Sequence, residues 1–441
     1  MSGAALVLLL VVEGRTLTLD EVVRAAESNQ PLVHQSHADA TAGEARADRA
    51  RAPLLPEVKL QAEYQRTTGN REHKPGSATN VLNATGTYNW FDLGVTGSWV
   101  LWDFGQTRNR WHAAEASARG LAFDAGAARL RAVLDARAAY FRARAHKTLV
   151  AVAREALANQ ERHLAQVDGF VTAGARPAID LAQARAGRAN ARVQLIDAEN
   201  AYASARAELN QAMGVAGPID YDVGDESFAA VDAETQPVAT LVDEALRARP
   251  ERAALDAQIA GQQLARRAAR AGYGPTLSLI AGASDQGTDL TRTSGIGLTS
   301  AANRRAYNAS QLAWNYFGGV RLEWSFLQGL ATSAEIREAD ALLASLRARR
   351  DALEQQIWVA VEQAQLGVRA AQEAVSASGE VLAATRERLT LAEGRYQAGA
   401  GNAIELGDAQ LAAVSSAAQK VGAEYRLATA RAQLLFALGR R

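Results

Sequence analysis

Two carboxylates, Glu405 and Asp408, stand three residues apart where a helix is predicted to begin, so both can point the same way. Acids in a first turn also meet the positive end of the helix dipole, a purely structural role compatible with any other. Beyond this pair the chain offers little chemistry. The six histidines, His34, His37, His73, His112, His146 and His163, are scattered. His34 and His37 can share a helix face, but a zinc site needs further ligands, so no metal is expected. There is no cysteine, which excludes disulfides, thiolate catalysis, thiolate metal sites and acylation of an N-terminal cysteine. Gly295-Ile-Gly297 lacks the lysine and the strand-to-helix setting of a phosphate loop, and no serine sits in an elbow motif. The residues point to no catalysis and no cofactor. Lys plus Arg equals Asp plus Glu at 48 each, so no net field favours nucleic acid or an anionic surface.

The stretch around Glu405 occurs twice. Phe170-Val-Thr-Ala-Gly-Ala-Arg-Pro-Ala-Ile-Asp-Leu-Ala-Gln-Ala184 matches Arg395-Tyr-Gln-Ala-Gly-Ala-Gly-Asn-Ala-Ile-Glu-Leu-Gly-Asp-Ala409 at a constant offset of 225 (174 to 399), without a gap. Asp180 thus corresponds to Glu405, and Gly214 to Gly439. A chain built as two copies of one unit is read as a repeat first.

The elements that position these residues follow from proline spacing. No proline interrupts the chain between Pro75 and Pro177, or after Pro275. Proline costs about 3 kcal/mol inside a helix, so long helices belong in those clearings. Leu130, Val133, Leu134, Phe141, Leu149 and Val152 recur at helical spacing, as do Leu346, Leu353, Ile357, Ala364, Val368, Ala371 and Val375. A helix of about 65 residues would reach roughly 95 Å. Gly169, Gly174 and Pro177 are expected to end the first helix, and Gly394, Gly399 and Gly401 the second. A return helix follows each, closing at Gly214 or Gly439. The apices, Ala173-Gly174-Ala175 and Ala398-Gly399-Ala400, carry so little side chain that another backbone could approach, although a tight turn needs glycine anyway.

Four other stretches alternate with period two. Val58, Leu60, Ala62 and Tyr64 oppose Glu57, Lys59, Gln61, Glu63 and Gln65; Phe91, Leu93, Val95, Trp99 and Leu101 oppose Asp92, Thr96 and Ser98. Leu277, Leu279 and Ala281 oppose Thr276, Ser278 and Ile280, and Val320, Leu322, Trp324 and Phe326 oppose Arg321, Glu323 and Ser325. Trp90, Trp99, Trp102, Trp314 and Trp324 lie in or beside them. An apolar face, a charged face and aromatic ends describe barrel strands between lipid and water, although soluble half-buried strands also alternate. The polar stretches 67–89 and 288–313 are the expected strand-joining loops. Four strands are too few to close a barrel, so the chain must then oligomerise; three copies would bring twelve. The apolar run Met1–Val12 is too short for a membrane helix and reads as the apolar part of a secretory signal, or else as a buried N-terminal strand.

Taken in order, these features resemble the TolC-like outer-membrane efflux proteins, from about Leu19 to Gly439. The likeness rests on Ala52-Pro-Leu-Leu-Pro-Glu-Val58 before the first strand, Ala139-Tyr-Phe141 in the first long helix, the duplicated tip motif and the closing Ala-Leu-Gly439. It implies a mixed α and β membrane protein: a trimeric 12-stranded β-barrel, four strands per protomer, continuous with a long α-helical coiled-coil barrel, from two structural repeats. The map it implies has a signal-like segment at 1–18 and a first repeat at 19–214. That repeat holds a helix, strands at about 54–66 and 88–102, a long helix 106–168 and a return helix 178–213. An equatorial connection at 215–250 precedes the second repeat, 251–439, with a helix, strands at about 275–286 and 314–327, a long helix 330–394 and a return helix 403–438.

The resemblance further implies a passive exit duct in the outer membrane of a Gram-negative bacterium, with a large periplasmic portion. Its expected partners are two further copies in a homotrimer, outer-membrane lipid, a periplasmic adaptor and an inner-membrane pump of the ABC or RND class. It places Glu405 and Asp408 at the periplasmic constriction, as rings of acids that favour cations and attract them as blockers. Asp180, Tyr396, Arg176 and Arg395 become candidate gate links, with Asp180 bonding to Tyr396 in the closed entrance. The best-known member has an arginine where Gly401 stands, so Arg176 or Arg395 is expected to substitute. Ala173, Gly174, Ala175, Ala398, Gly399 and Ala400 become the adaptor-docking tips. Two readings from other classes remain: a soluble structural coiled coil, which leaves the alternating strands unexplained, and a periplasmic adaptor, which has long hairpins of its own.

Overall fold

The structure, a computed structural model, describes residues 15–70, 85–174, 176–288 and 314–441, and within them the side chains of all but 67–70, 85–91, 285–288 and 314. The apolar run 1–12, Ala175, His73, Gly295-Ile-Gly297 and most of the stretches 67–89 and 288–313 lie outside the described residues. In chain order, β1 (Arg15–Leu17), α1 (Leu19–Asn29) and α2 (Pro31–Arg51) lead to strands β2 (Glu57–Asn70) and β3 (Thr85–Trp102). The long helix α3 (Gln106–Thr172) and the return helix α4 (Ala178–Met213) follow. After β4 (Tyr221–Val223) the same succession comes again: α5 (Val238–Ala248), α6 (Pro250–Ala271), β5 (Thr276–Thr288), β6 (Trp314–Glu323), α7 (Ala331–Gln397) and α8 (Ala403–Ala437). Helices α3 and α7 each have 67 residues.

Glycine does not stop the long helices where the sequence suggested. Gly169 and Gly394 lie inside α3 and α7, because one interior glycine costs only about 1 kcal/mol and leaves the hydrogen-bond ladder whole. The helices end just before Gly174 (φ +74°) and Gly399 (φ +73°), where left-handed backbone turns the chain. Two consecutive left-handed residues also join strand to helix in each half: Phe104 and Gly105, then Gly329 and Leu330.

The described residues divide into two compact units, one of residues 42–70, 85–118, 257–288 and 314–346, the other of 15–41, 119–174, 176–256 and 347–441. The first contains a four-stranded antiparallel sheet in the order β2-β3-β5-β6. Register places Leu60 beside Val95, Val95 beside Ala283, and Leu279 between Trp99 and Val320, all on one face. That face is open: Val58 is 71% exposed, Leu60 72%, Val320 62% and Leu322 67%. The other face carries Glu57, Lys59, Glu63, Thr96, Ser98 and Arg321. Phe317 departs from the polar pattern and lies over Gly282, where a Cβ would stand 2.6 Å from its Cζ.

Strand ends differ from the expected ones. Pairing runs on to Asn70 with Thr85, because a backbone ladder needs no apolar alternation. A bulge between Val100 and Trp102 brings Trp102, and not Leu101, opposite Leu277. Strand β6 stops at Glu323, paired with Thr276, since Pro275 has no N–H to extend the ladder. Trp324 lies beyond it and donates from Nε1 to the Tyr273 carbonyl at 3.0 Å. Trp99 does the same to the Leu54 carbonyl at 2.9 Å.

The second unit is helical. Val22 and Ala26 of α1 share a core with Tyr140, Phe141 and Leu209, and Leu241 and Ala245 of α5 share another with Ile357, Val361 and Leu434. Burial pushes the Tyr140 hydroxyl up to about 12. The segment between α4 and α5 is pinned from two sides: Lys147 Nζ donates to the Val223 carbonyl at 2.6 Å, and Arg431 Nε to Glu234 Oε1 at 2.8 Å. Among the described residues no helix is long and apolar enough to cross a membrane.

Candidate functional site

The turns after α3 and α7 come together. Leu164, Val167 and Phe170 of α3 and Leu181 and Ala184 of α4 pack against Leu389, Ala392 and Tyr396 of α7 and Leu406 and Ala409 of α8. Small residues at 184, 392 and 409 let four helices approach closely. Ala173, Gly174, Ala398, Gly399 and Ala400 stay exposed, and a Cβ on Gly174 or Gly399 would meet nothing within 4 Å. The tips therefore present bare backbone to whatever lies outside.

Arg176 joins the two turns. Its Nη2 donates to the Gly401 carbonyl at 3.2 Å, and its guanidinium carbon lies 4.7 Å from the centre of the Tyr396 ring. Such a stacked cation contributes about 0.5–2 kcal/mol. The ring also meets His163 edge-on, centroids 5.3 Å apart. Tyr396 is buried, and its hydroxyl makes no hydrogen bond among the described residues. The expected Asp180–Tyr396 bond is therefore not formed here: Arg176 and His163 hold the ring while Asp180 lines a neighbouring cavity. Burial pushes the Tyr396 hydroxyl upward, with Arg176 opposing and Asp180 adding to the shift. Burial pushes the His163 imidazole down, and Asp180 partly offsets it.

The two acids of the opening pair have different surroundings. Asn402 caps α8, its side-chain oxygen accepting from the Glu405 N–H at 2.7 Å. The Glu405 carboxylate lies 3.6 Å from Arg395 Nε, and both side chains are largely open to solvent. Arg395 Nη2 also donates to the Ala400 carbonyl at 3.5 Å. Asp408 instead lines a cavity of about 430 Å³ with Asp180, His163 and Arg386. Gln160 and Gln410 meet at 2.8 Å on its wall. Neither His163 nor the two glutamines stood out in the sequence, because nothing local marks a contact between residues 250 apart. Among the described residues no group of histidines and acids could hold a metal ion, and His34 and His37 form no such group.

A family model described as outer membrane efflux protein matches residues 22–215 and 241–440. The chain belongs to the outer membrane efflux protein family. Curated proteins returned no sequence match. Several solved structures share the fold. A membrane protein from Pseudomonas aeruginosa superposes with a TM-score of 0.78 at 21% identity, over 96% of this chain and 90% of its own. The CmeC outer membrane channel of Campylobacter jejuni gives 0.77 at 17%, over 96% and 85%. The outer membrane protein VceC of Vibrio cholerae gives 0.77 at 16%, over 96% of each chain. In this chain the paired turns join opposite hairpins through Arg176 and the Gly401 carbonyl at their exposed ends, which makes them the candidate functional site.

Proposed function

We propose that the chain forms a homotrimeric outer-membrane duct, a passive exit path for a tripartite efflux or type I secretion system. The observation that carries this is the sheet. One face is continuously apolar and open, the opposite face is charged, and β2 and β6 are edges with no neighbour in the described chain. An apolar sheet face with unpaired edges is stable in lipid only if the edges close on other strands. Three copies would close twelve strands, and the long hairpins would continue the wall into the periplasm.

The tips are the entrance in this reading. Arg176, stacked on Tyr396 and bonded to Gly401, keeps the two turns of one copy together, and Arg395 with Glu405 adds an exposed link. Asp180 acts on both Tyr396 and His163 through its charge. A periplasmic adaptor at Ala173-Gly174-Ala175 and Ala398-Gly399-Ala400 would favour the splayed state by binding it better. An inner-membrane pump of the ABC or RND class would drive the cargo. In three copies Glu405 and Asp408 would form two acidic rings at the constriction.

The test is direct. Detergent extracts of outer membranes should yield a trimer that conducts ions in planar bilayers, and a detergent-free monomer would remove the reading. Glu405→Ala with Asp408→Ala should weaken block by a trivalent cation added on the tip side. Block equal to the parent's would remove the rings while leaving the duct.

A further inference from the structure

The two halves solve one packing problem twice. Helices α1 and α5 both have 11 residues and start 219 apart (19 and 238). Val22 and Ala26 correspond on that offset to Leu241 and Ala245, and Leu209 corresponds to Leu434 on the offset of 225. Burial of apolar surface is non-directional. These shared contacts discriminate weakly between α1–α2 packed on α3 and the same layer packed on α7; what differs in packing is that Pro250 and Gly261 of α6 also close on Gly126 and Ala116 of α3.

The charges differ where the apolar residues do not. Arg129 of α3 and Glu354 of α7 occupy corresponding positions, 225 apart, with opposite sign. Arg129 Nε lies 2.8 Å from Glu27 Oε1 of α1. Glu354 Oε1 lies 3.0 Å from Arg252 Nε of α6. Exchanging the layers would set Glu27 against Glu354 and Arg252 against Arg129. Two like-charge contacts would then replace two ion pairs, each of them partly shielded from water. We infer that this pair of oppositely signed ion pairs is a pairing code: it assigns each N-terminal helical layer to its own long helix and excludes exchange, within one chain or between copies, during folding.

The code is read by refolding the full chain from urea into detergent micelles at low salt. Glu27→Arg with Arg129→Glu keeps an ion pair in both halves but gives them the same polarity. Its melting temperature should fall somewhat, because Glu27 also faces the half-buried Arg137, while the yield of chain showing that transition should fall by about threefold or more. Adding Arg252→Glu and Glu354→Arg restores opposite signs and should restore the yield, at a lower melting temperature because Asp256 and Arg350, which border this pair, then face like charges. Arg129→Ala removes one pair without making exchange attractive, so it should lower the melting temperature and leave the yield near the parent's. In 1 M salt, where the screening length is about 3 Å, the parent's advantage over the double variant should shrink. A double variant that refolds as well as the parent overturns the inference. So does a loss that the fourfold variant fails to recover, or an equal loss in Arg129→Ala.

Discussion

Arg176 and Gly401 stand at the same place in the two hairpins, 225 apart in sequence, and the guanidinium of one donates to the carbonyl of the other at 3.2 Å. A side chain on Gly401 would put its Cβ 3.1 Å from the Tyr396 nitrogen and 3.3 Å from Arg395 Cβ. The second turn thus has little room for an arginine of its own, and the first turn provides it. Arg176→Ala should loosen the tips by about 1–2 kcal/mol through loss of the bond and the ring contact. Single-channel conductance in planar bilayers should rise. Arg176→Lys, which keeps the charge without the planar fork, should fall between.

The Tyr396 hydroxyl leads to a prediction of opposite sign. It is buried without a partner among the described residues, so Tyr396→Phe should raise stability by about 1 kcal/mol. A thermal melt checks this. A double-mutant cycle with Asp180→Ala should give a coupling energy below about 0.5 kcal/mol, because no bond joins the two side chains. Coupling well above that value would restore the direct link expected from the sequence.

The sequence revealed more about element types than about neighbours. Proline-free clearings and helical spacing mark where α3 and α7 can exist, since proline is the one residue a helix interior rejects strongly. Alternation distinguishes the apolar face of each strand from the polar face but does not say which strand lies next. The pairing of β3 with β5, which joins the two halves, leaves no local trace. At the tips the small residues Ala184, Ala392 and Ala409 make the approach of the hairpins possible, yet alanine is abundant everywhere in the chain. The bulge at Trp102 was hidden for a related reason: one extra residue reverses the alternation that sequence reading relies on.

Glu234 is a buried charge that depends on its partners. Arg431 Nε reaches its Oε1 at 2.8 Å while Gln372 donates to Oε2 and the Val231 N–H to Oε1. Arg431→Met leaves a buried carboxylate without a counter-charge and should lower stability by about 3–5 kcal/mol. Adding Glu234→Gln should recover most of that loss, because a neutral amide needs no counter-charge. Chemical denaturation in detergent measures both. If the single and double variants are equally unstable, packing around Phe228, whose carbonyl Arg431 also holds at 2.6 Å, is the dominant effect.

Acid should weaken the helical unit through two half-buried histidines. Burial pushes His163 and His146 below the ordinary value of 6.5, with Asp180 opposing at His163 and Arg142 reinforcing at His146. The unfolded chain then binds protons that the folded chain refuses, so stability is whole above pH 6.5 and falls as the pH drops through that value. The carboxylates held low, Asp222 by its bonds to Tyr202 and Lys147 against the pull of burial and Glu21 by the Thr18 N–H, lose their stabilisation only below their unfolded values of 3.8 and 4.5. Melting temperature should therefore decline between pH 7 and pH 5 in the parent. His163→Gln and His146→Gln should each reduce that decline. An undiminished decline in the double variant would place the acid sensitivity outside these two histidines.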